Sequence, residues 1–283
     1  MLKSIYRFLS PKWQNAFLDY KVNLEPRYHK NGKFEANPFL TSLFEKNISK
    51  FSSVLNSFLQ YEEQIDSIGL KPQNKTDPYW QNDFLPGLDM IAIYGMIREL
   101  KPSIYLEIGS GHSTRIAFKA KREGDLTTKI ISIDPFPRSE IDHLADQIIR
   151  KPVEGMSFND DVFSQLKSGD ILFIDSSHRI LPNSDCAFIY NELIPSLPKG
   201  VFIHIHDIYL PYDYPQFMCD RLYNENEFLA AYLLSNPNYF KILLPNFYVY
   251  KNPDFWNTIA PLFTSSKMKD VEKHGGSIWL SKN

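Results

Sequence analysis

Residues Ser103–Thr114 read SIYLEIGSGHST. An apolar run from Ile104 to Ile108, broken only by Glu107, stops at Gly109-Ser110-Gly111. The following STRIAFKAKRE then repeats apolar residues at helical spacing. A short apolar run closed by glycine reads as a buried strand. Glycines let the backbone turn sharply and lie close to a ligand, and the N-terminus of the next helix offers unpaired N–H groups. The stretch is therefore a strand, a glycine turn and a helix.

The same rhythm continues outward. KIISID, IIRKPVE, DILFIDSSH and GVFIHIHD are short strand-like runs. DVFSQLKSG and DCAFIYNELIPSL are helical segments among them. Strands alternating with helices predict parallel βαβ units with right-handed crossovers. YFKILLPNFYVYKN and GGSIWLSKN read as two further strand-like pieces without a clear core helix between them, the last an antiparallel strand of the sheet. The expected fold class is α/β, a Rossmann-like doubly wound sheet, mostly parallel with an antiparallel last strand. Upstream, LDMIAIYGMIREL is a helix that stops before Pro102. GLKPQNKTDPYWQNDFLPG, rich in breakers, reads as a linker or flap. In NPFLTSLFEKNISKFSSVLNSFLQYEEQI, helical spacing of Leu43, Phe44, Ile48, Phe51, Val54, Leu55, Phe58 and Leu59 predicts one or two amphipathic helices. The division is a helical N-terminal extension and linker over 1–78 and the sheet domain over 79–283.

Of the 283 residues, 43% are hydrophobic, enough for a large core. Formal net charge is −2 with the signs intermixed, which argues against a nucleic-acid partner bound through a broad basic face. The two cysteines, Cys186 and Cys219, make no motif, and no apolar run has membrane-span length. The first residues, MLKSIYRFLSPKWQN, lack the apolar core of a signal peptide and read as an ordinary packed helix. The expected location is cytoplasmic. The helical N-terminal third offers a face for a homo-oligomer.

Ligands of open parallel sheets bind beyond the carboxyl ends of the strands. Those ends carry Glu107, Gly109, Ser110, Gly111, His112, Ser113 and Thr114 from the first strand and Asp134 from the second. The later strands add Asp175, Ser176, Ser177 and His178, then His206 and Asp207. Each carboxylate alone could be a helix cap; together on one edge they predict a site. Asp134 is placed to accept from ribose hydroxyls. The spacing G-x-G-x-x-T also suits a dinucleotide fold, although the third glycine is missing.

YLEIGSGHST, ISID, GDILFIDSSH, LPKGVFIHIHDIYLPYDYP and GGSIWL together resemble the class I S-adenosylmethionine-dependent methyltransferases. The similarity is to the bacterial, methyltransferase-24-like branch that pairs Asp-x-x-His with a later His-Asp. It covers roughly residues 79–280. It implies a seven-stranded sheet and S-adenosylmethionine as cofactor. Glu107, Gly109 and Gly111 would lie against the methionine half and Asp134 at the ribose, with Ser110, Ser113, Thr114 and Asp175 completing the cofactor-binding set. Met156 and Phe158 are candidates for the adenine contact. Asn224 and Glu225 also match the family pattern, without an assigned role.

Removing a proton from a hydroxyl acceptor needs a base or a Lewis acid. The catalytic candidates are His178, His206 and Asp207. His178 is the first choice for base and His206 the second, on the expectation of an imidazole near its ordinary pKa of about 6.5. Asp175 and Asp207 are also candidate oxygen ligands for Mg²⁺. The alternative is a cofactor contact or helix cap at Asp175 with hydrogen-bonded histidines around it. His204 reads as a core histidine with a satisfied ring and His112 as structural. His274 is open between pocket and packing. The tyrosines and prolines after Asp207 predict an acceptor lid, or packing against Tyr79 and Trp80. The resulting expectation is methyl transfer to a small molecule or glycan, probed against an NAD-dependent oxidoreductase and a non-catalytic subunit of a glycan-synthesis complex.

Overall fold

The βαβ rhythm folds as read. In the computed structural model, which describes residues 6, 8–11, 15, 18–27, 29, 30, 33–137 and 140–283, the strands are β1 (Ile104–Ile108), β2 (Lys129–Ile133), β3 (Gln147–Ile149), β4 (Ile171–Ile174), β5 (Phe202–His206), β6 (Phe240–Pro245) and β7 (Ser277–Lys282). They form one seven-stranded sheet in the order β3-β2-β1-β4-β5-β7-β6. Only β7 runs against its neighbours, pairing antiparallel with β5 and β6. Chain direction reverses outward from β1 and β4, so the switch point lies between their carboxyl ends. The register there sets Ile108 beside Ile174, and the Asp175 N–H donates to the Ile108 carbonyl at 2.8 Å. All four residues of β4 are buried, which is why DILFID reads as a continuous apolar run.

The N-terminal helices are two, α1 (Pro38–Glu45) and α2 (Ile48–Phe58). Asn37 caps α1 by accepting from the Phe39 and Leu40 N–H groups, with Pro38 at the first turn. Helix α3 (Gly87–Leu100) is buried along most of its length. It meets α2 at Gly95, where a Cβ would sit 2.3 Å from the Phe58 ring, so only glycine permits this crossing. Helix α4 (His112–Glu123) follows the glycine turn. One apolar cluster runs from Leu40 through the sheet to Leu280, joining the N-terminal helices to the β-domain core.

Three local readings change. The segment NFYVYKN, read as strand, is a helix (Asn246–Lys251), followed by a second helix (Pro253–Ile259). Its β-favouring aromatics are instead placed by tertiary contacts: Tyr248 meets Phe44 and Phe51 edge-on at 5.6 and 6.5 Å. DVFSQLKSG forms a single turn, Asp161–Ser164. The helix of DCAFIYNELIPSL passes through a π-helical stretch, Ile189–Leu193. The N-terminal MLKSIYRFLSPKWQN lies mostly outside the described residues. No helix among the described residues is long and apolar enough to cross a membrane.

Candidate active site

The glycine turn closes the end of β1 against the end of β4. Gly109 has φ +81°, and a Cβ there would lie 2.2 Å from the Asp175 carbonyl oxygen, so the position admits only glycine. A Cβ on Gly111 would meet nothing within 4 Å; the turn faces open space there. Two carboxylates brace it. Glu107, fully buried, accepts from Thr114 Oγ1 at 2.5 Å and Ser113 Oγ at 3.1 Å. Burial pushes the Glu107 carboxyl up to about 8; the two hydroxyls oppose this, and the nearby Asp134 and Asp175 charges add to it. Asp134 accepts from the Ser110 N–H at 2.9 Å and its hydroxyl at 3.2 Å.

Beside this turn two imidazoles and four carboxylates alternate. His178 and Asp207 leave their strands at φ +60° and +53°. Non-glycine residues in this left-handed region store of order 1–3 kcal/mol each, and such strain collects at functional sites. The turns bring His178 Nε2 to 3.3 Å from both Asp175 Oδ1 and Asp207 Oδ2. Its Nδ1 lies 2.9 Å from Glu225 Oε2, which also accepts from Ser176 Oγ. His206 Nδ1 lies 3.6 Å from the same two aspartates, and its Nε2 lies 3.8 Å from Asp89 Oδ2. Asp89, fully buried, is fixed by Asn246 Nδ2, Ser277 Oγ and the Gly276 N–H. The chain of groups runs Glu225, His178, Asp175 with Asp207, His206, Asp89.

Charge follows from this geometry. Burial works against a positive His178, but contact with Asp175 and Glu225 and the Asp207 charge outweigh it and hold the ring well above 6.5. Burial likewise opposes a charged His206, yet Asp207, Asp175 and Asp89 bring it up to about 9. Burial opposes ionisation of Asp175, and the two imidazoles overcome that and hold its carboxyl well below the usual range. The expectation of an imidazole near 6.5 is thus corrected: carboxylates crowd both rings. The outer edge of the Asp175 side chain reaches solvent, 44% exposed, while the histidines beneath it are buried.

Asp89 and Glu225 carry little signal in the sequence. Glu225 matches the family pattern without an assigned role. Asp89 is a lone acid in the apolar helix GLDMIAIYGM, and a charge on a face otherwise bound for the core is a signal of a buried partner.

The other histidines separate. His204 is a core residue, stacked on Phe173 at 4.5 Å, but neither ring nitrogen has a hydrogen-bond partner, contrary to the expected satisfied ring. Burial and the neighbouring His206 push it well below 6.5, so it packs as a neutral aromatic. His112 Nε2 accepts the Tyr79 N–H at 3.3 Å, and burial brings it to about 3, a neutral structural ring. The His274 ring lies 6.1 Å from Tyr250. The tyrosines after β5 pack on Phe247, with Tyr209 at 4.5 Å and Tyr212 at 5.5 Å, and not on Tyr79, whose ring meets His112 at 4.7 Å. Tyr223 is the ring of that segment that reaches the site, 4.8 Å from His178. Met156 packs against the core, and Phe158 is 37% exposed.

Residues 106–208 match the family described as a methyltransferase domain. These residues belong to that family. The methyltransferase segment contains the glycine turn, Asp134, Asp175, His178, His206 and Asp207, but neither Asp89 nor Glu225. No curated protein sequence matches the chain at a significant level. Among solved structures, the chain is similar to the Podospora anserina methyltransferase PaMTH1 bound to SAH, at 14% identity over 80% of this chain and 88% of that one, TM-score 0.42. It is also similar to the plantazolicin methyltransferase BpumL in complex with a pentazolic desmethylPZN analog and SAH, at 15% identity over 86% and 99%, TM-score 0.43.

The methyltransferase site fits the cofactor the family implies. S-adenosylmethionine carries an ammonium and a sulfonium, which suit the accessible carboxylates of Asp134 and Asp175, and the open space above Gly111 leaves it room; Glu107, expected against the methionine half, is buried beneath the turn instead. Mg²⁺ fits poorly. Asp175 and Asp207 face imidazole nitrogens at 3.3–3.6 Å rather than a shared position, and no group of three or more metal-ligating side chains converges among the described residues.

Proposed function

We propose that the protein methylates a hydroxyl oxygen of a small molecule or glycan, using S-adenosylmethionine and a histidine base. The observation that carries this reading is the alternating imidazole–carboxylate chain beside a glycine turn at the switch point. The cofactor, when bound, supplies a methyl group activated on a cationic sulfur. The glycine turn would leave room for its amino-acid end, braced from beneath by Glu107 through Ser113 and Thr114, and Asp134 would orient its ribose. In-line transfer then depends mostly on holding the acceptor oxygen in place and removing its proton.

His178 suits the second task. Glu225 engages Nδ1, which leaves Nε2 directed between Asp175 and Asp207, the first of which reaches solvent. The ring accepts the acceptor's proton only after losing its own, and a positive charge arriving at the carboxylate rim favours that loss. His206 is the second imidazole of the chain, with the two aspartates 3.6 Å away on one side and Asp89 3.8 Å away on the other, none of them hydrogen-bonded to it. No step is assigned to a metal.

Calorimetry with S-adenosylmethionine and with NAD tests the reading. Binding of the former alone is expected; binding of NAD alone, or of neither at millimolar concentration, overturns it. His178→Ala is expected to spare cofactor binding and to slow turnover by about 10²–10⁴-fold.

A further inference from the structure

We propose that Arg179 and Arg221 form an anion-recognition edge beside His178, so that the acceptor carries a carboxylate or phosphate group near the hydroxyl to be methylated. The inference rests on the methyl-transfer reading above and adds the acceptor's charge.

The Tyr223 ring is the link. It lies against His178, 4.8 Å away between ring centroids. The Arg179 guanidinium carbon lies 4.9 Å from the same ring, and that of Arg221 lies 5.9 Å from it. The left-handed turn at His178 (φ +60°) drives its imidazole inward while the next residue, Arg179, stays at the rim. The guanidinium is then one aromatic ring away from the proposed base.

Both arginines are held by neutral partners. Arg179 Nε donates to the Arg221 carbonyl at 2.8 Å and Nη1 to the Ser177 carbonyl at 3.2 Å. Among the described residues Arg221 Nη1 reaches the Tyr223 hydroxyl alone, at 3.5 Å. These contacts fix the side chains without cancelling their charge. Among the described residues neither guanidinium has a carboxylate within 4 Å, whereas Arg122 pairs with Asp77 at 2.9 Å. A guanidinium without a carboxylate partner matches the oxygens of a carboxylate or phosphate, which it binds through charge-assisted hydrogen bonds, and here two such groups stand around one ring.

The floor of the site strengthens the assignment. Asp89, Asp175, Asp207 and Glu225 crowd the imidazoles, so an anionic group is repelled from the base and drawn to the arginines. A neutral hydroxyl on the same molecule is not repelled. The charge pattern orients the acceptor with its hydroxyl inward and its anion at the rim.

The test is calorimetry on the full chain with glucose, glucuronate and glucose 6-phosphate, each with and without S-adenosylhomocysteine. At least one anion is expected to bind about tenfold or more tightly than glucose, the scale of a charge-assisted contact. Which of the two binds distinguishes a carboxylated from a phosphorylated acceptor. The double variant R179Q/R221Q is expected to lower anion binding to the glucose level, R179K/R221K to retain part of it, and both to bind S-adenosylhomocysteine as the parent does. If neither anion outbinds glucose, or if R179Q/R221Q binds them unchanged, the arginine edge is refuted. Loss of S-adenosylhomocysteine binding in the parent protein refutes the methyl-transfer reading instead.

Discussion

Glu225→Gln removes a buried negative charge 2.9 Å from His178 Nδ1 while keeping the volume and one acceptor oxygen. An opposite charge at such a distance moves an imidazole pKa by about one to three, each worth about 1.4 kcal/mol. Asp175 and Asp207 remain at 3.3 Å, so the ring should fall toward its ordinary value without dropping far below it. Two measurements follow. The first is titration of the His178 ring by NMR in the free protein. The second is the acid limb of turnover against pH. In the parent protein that limb is expected above pH 6.5, because the ring is held above it, and in Glu225→Gln it should shift to lower pH. Stability carries the same sign. A raised folded-state pKa contributes fully below the unfolded value of about 6.5 and is lost as pH rises through the folded value. The deficit of Glu225→Gln should therefore be largest near pH 6 and shrink in alkali. Identical titration midpoints in parent and variant would refute the claim that Glu225 sets the charge on His178.

Asp134→Ala should weaken S-adenosylmethionine binding about tenfold or more, through lost charge-assisted contacts; unchanged affinity by calorimetry rejects the ribose role. Treatment with EDTA should leave turnover unchanged, since Asp175 and Asp207 face imidazoles, and loss of activity restored by Mg²⁺ would overturn that. Phe51→Ala should cost about 3–5 kcal/mol in urea unfolding because the ring is fully buried among Tyr248 and Phe255; a cost under about 1 kcal/mol would show that α2 adds little to the core. His206 contributes stability fully below about 6.5 that is lost as pH rises through about 9, so His206→Asn should flatten the decline of Tm over that alkaline range.

Much of the sheet was legible because strand and helix periods are local. Ile171–Ile174 read as a buried strand from composition alone, and Gly109 marked the turn that its positive φ requires. The segment Asn246–Lys251 was misread because its aromatic and β-branched residues favour strand, while contacts with Phe44 and Phe51 made it a helix. The carboxylates ending the strands were visible as a set. Their partners were not: Glu225 lies 47 residues after His178, and Asp89 sits on a helix that precedes the first strand.

The sequence by itself determined the alternating strand and helix units, the glycine turn and which residues stand at strand ends, because side-chain period and backbone freedom act between near neighbours. Only the tertiary structure decided which carboxylates face which imidazoles. That pairing depends on strand order and on two left-handed turns, and it sets the charge of His178 and His206. It also decided that Tyr223, of the tyrosines after β5, lies within reach of both His178 and the arginines, since packing on Phe247 had already claimed Tyr209 and Tyr212.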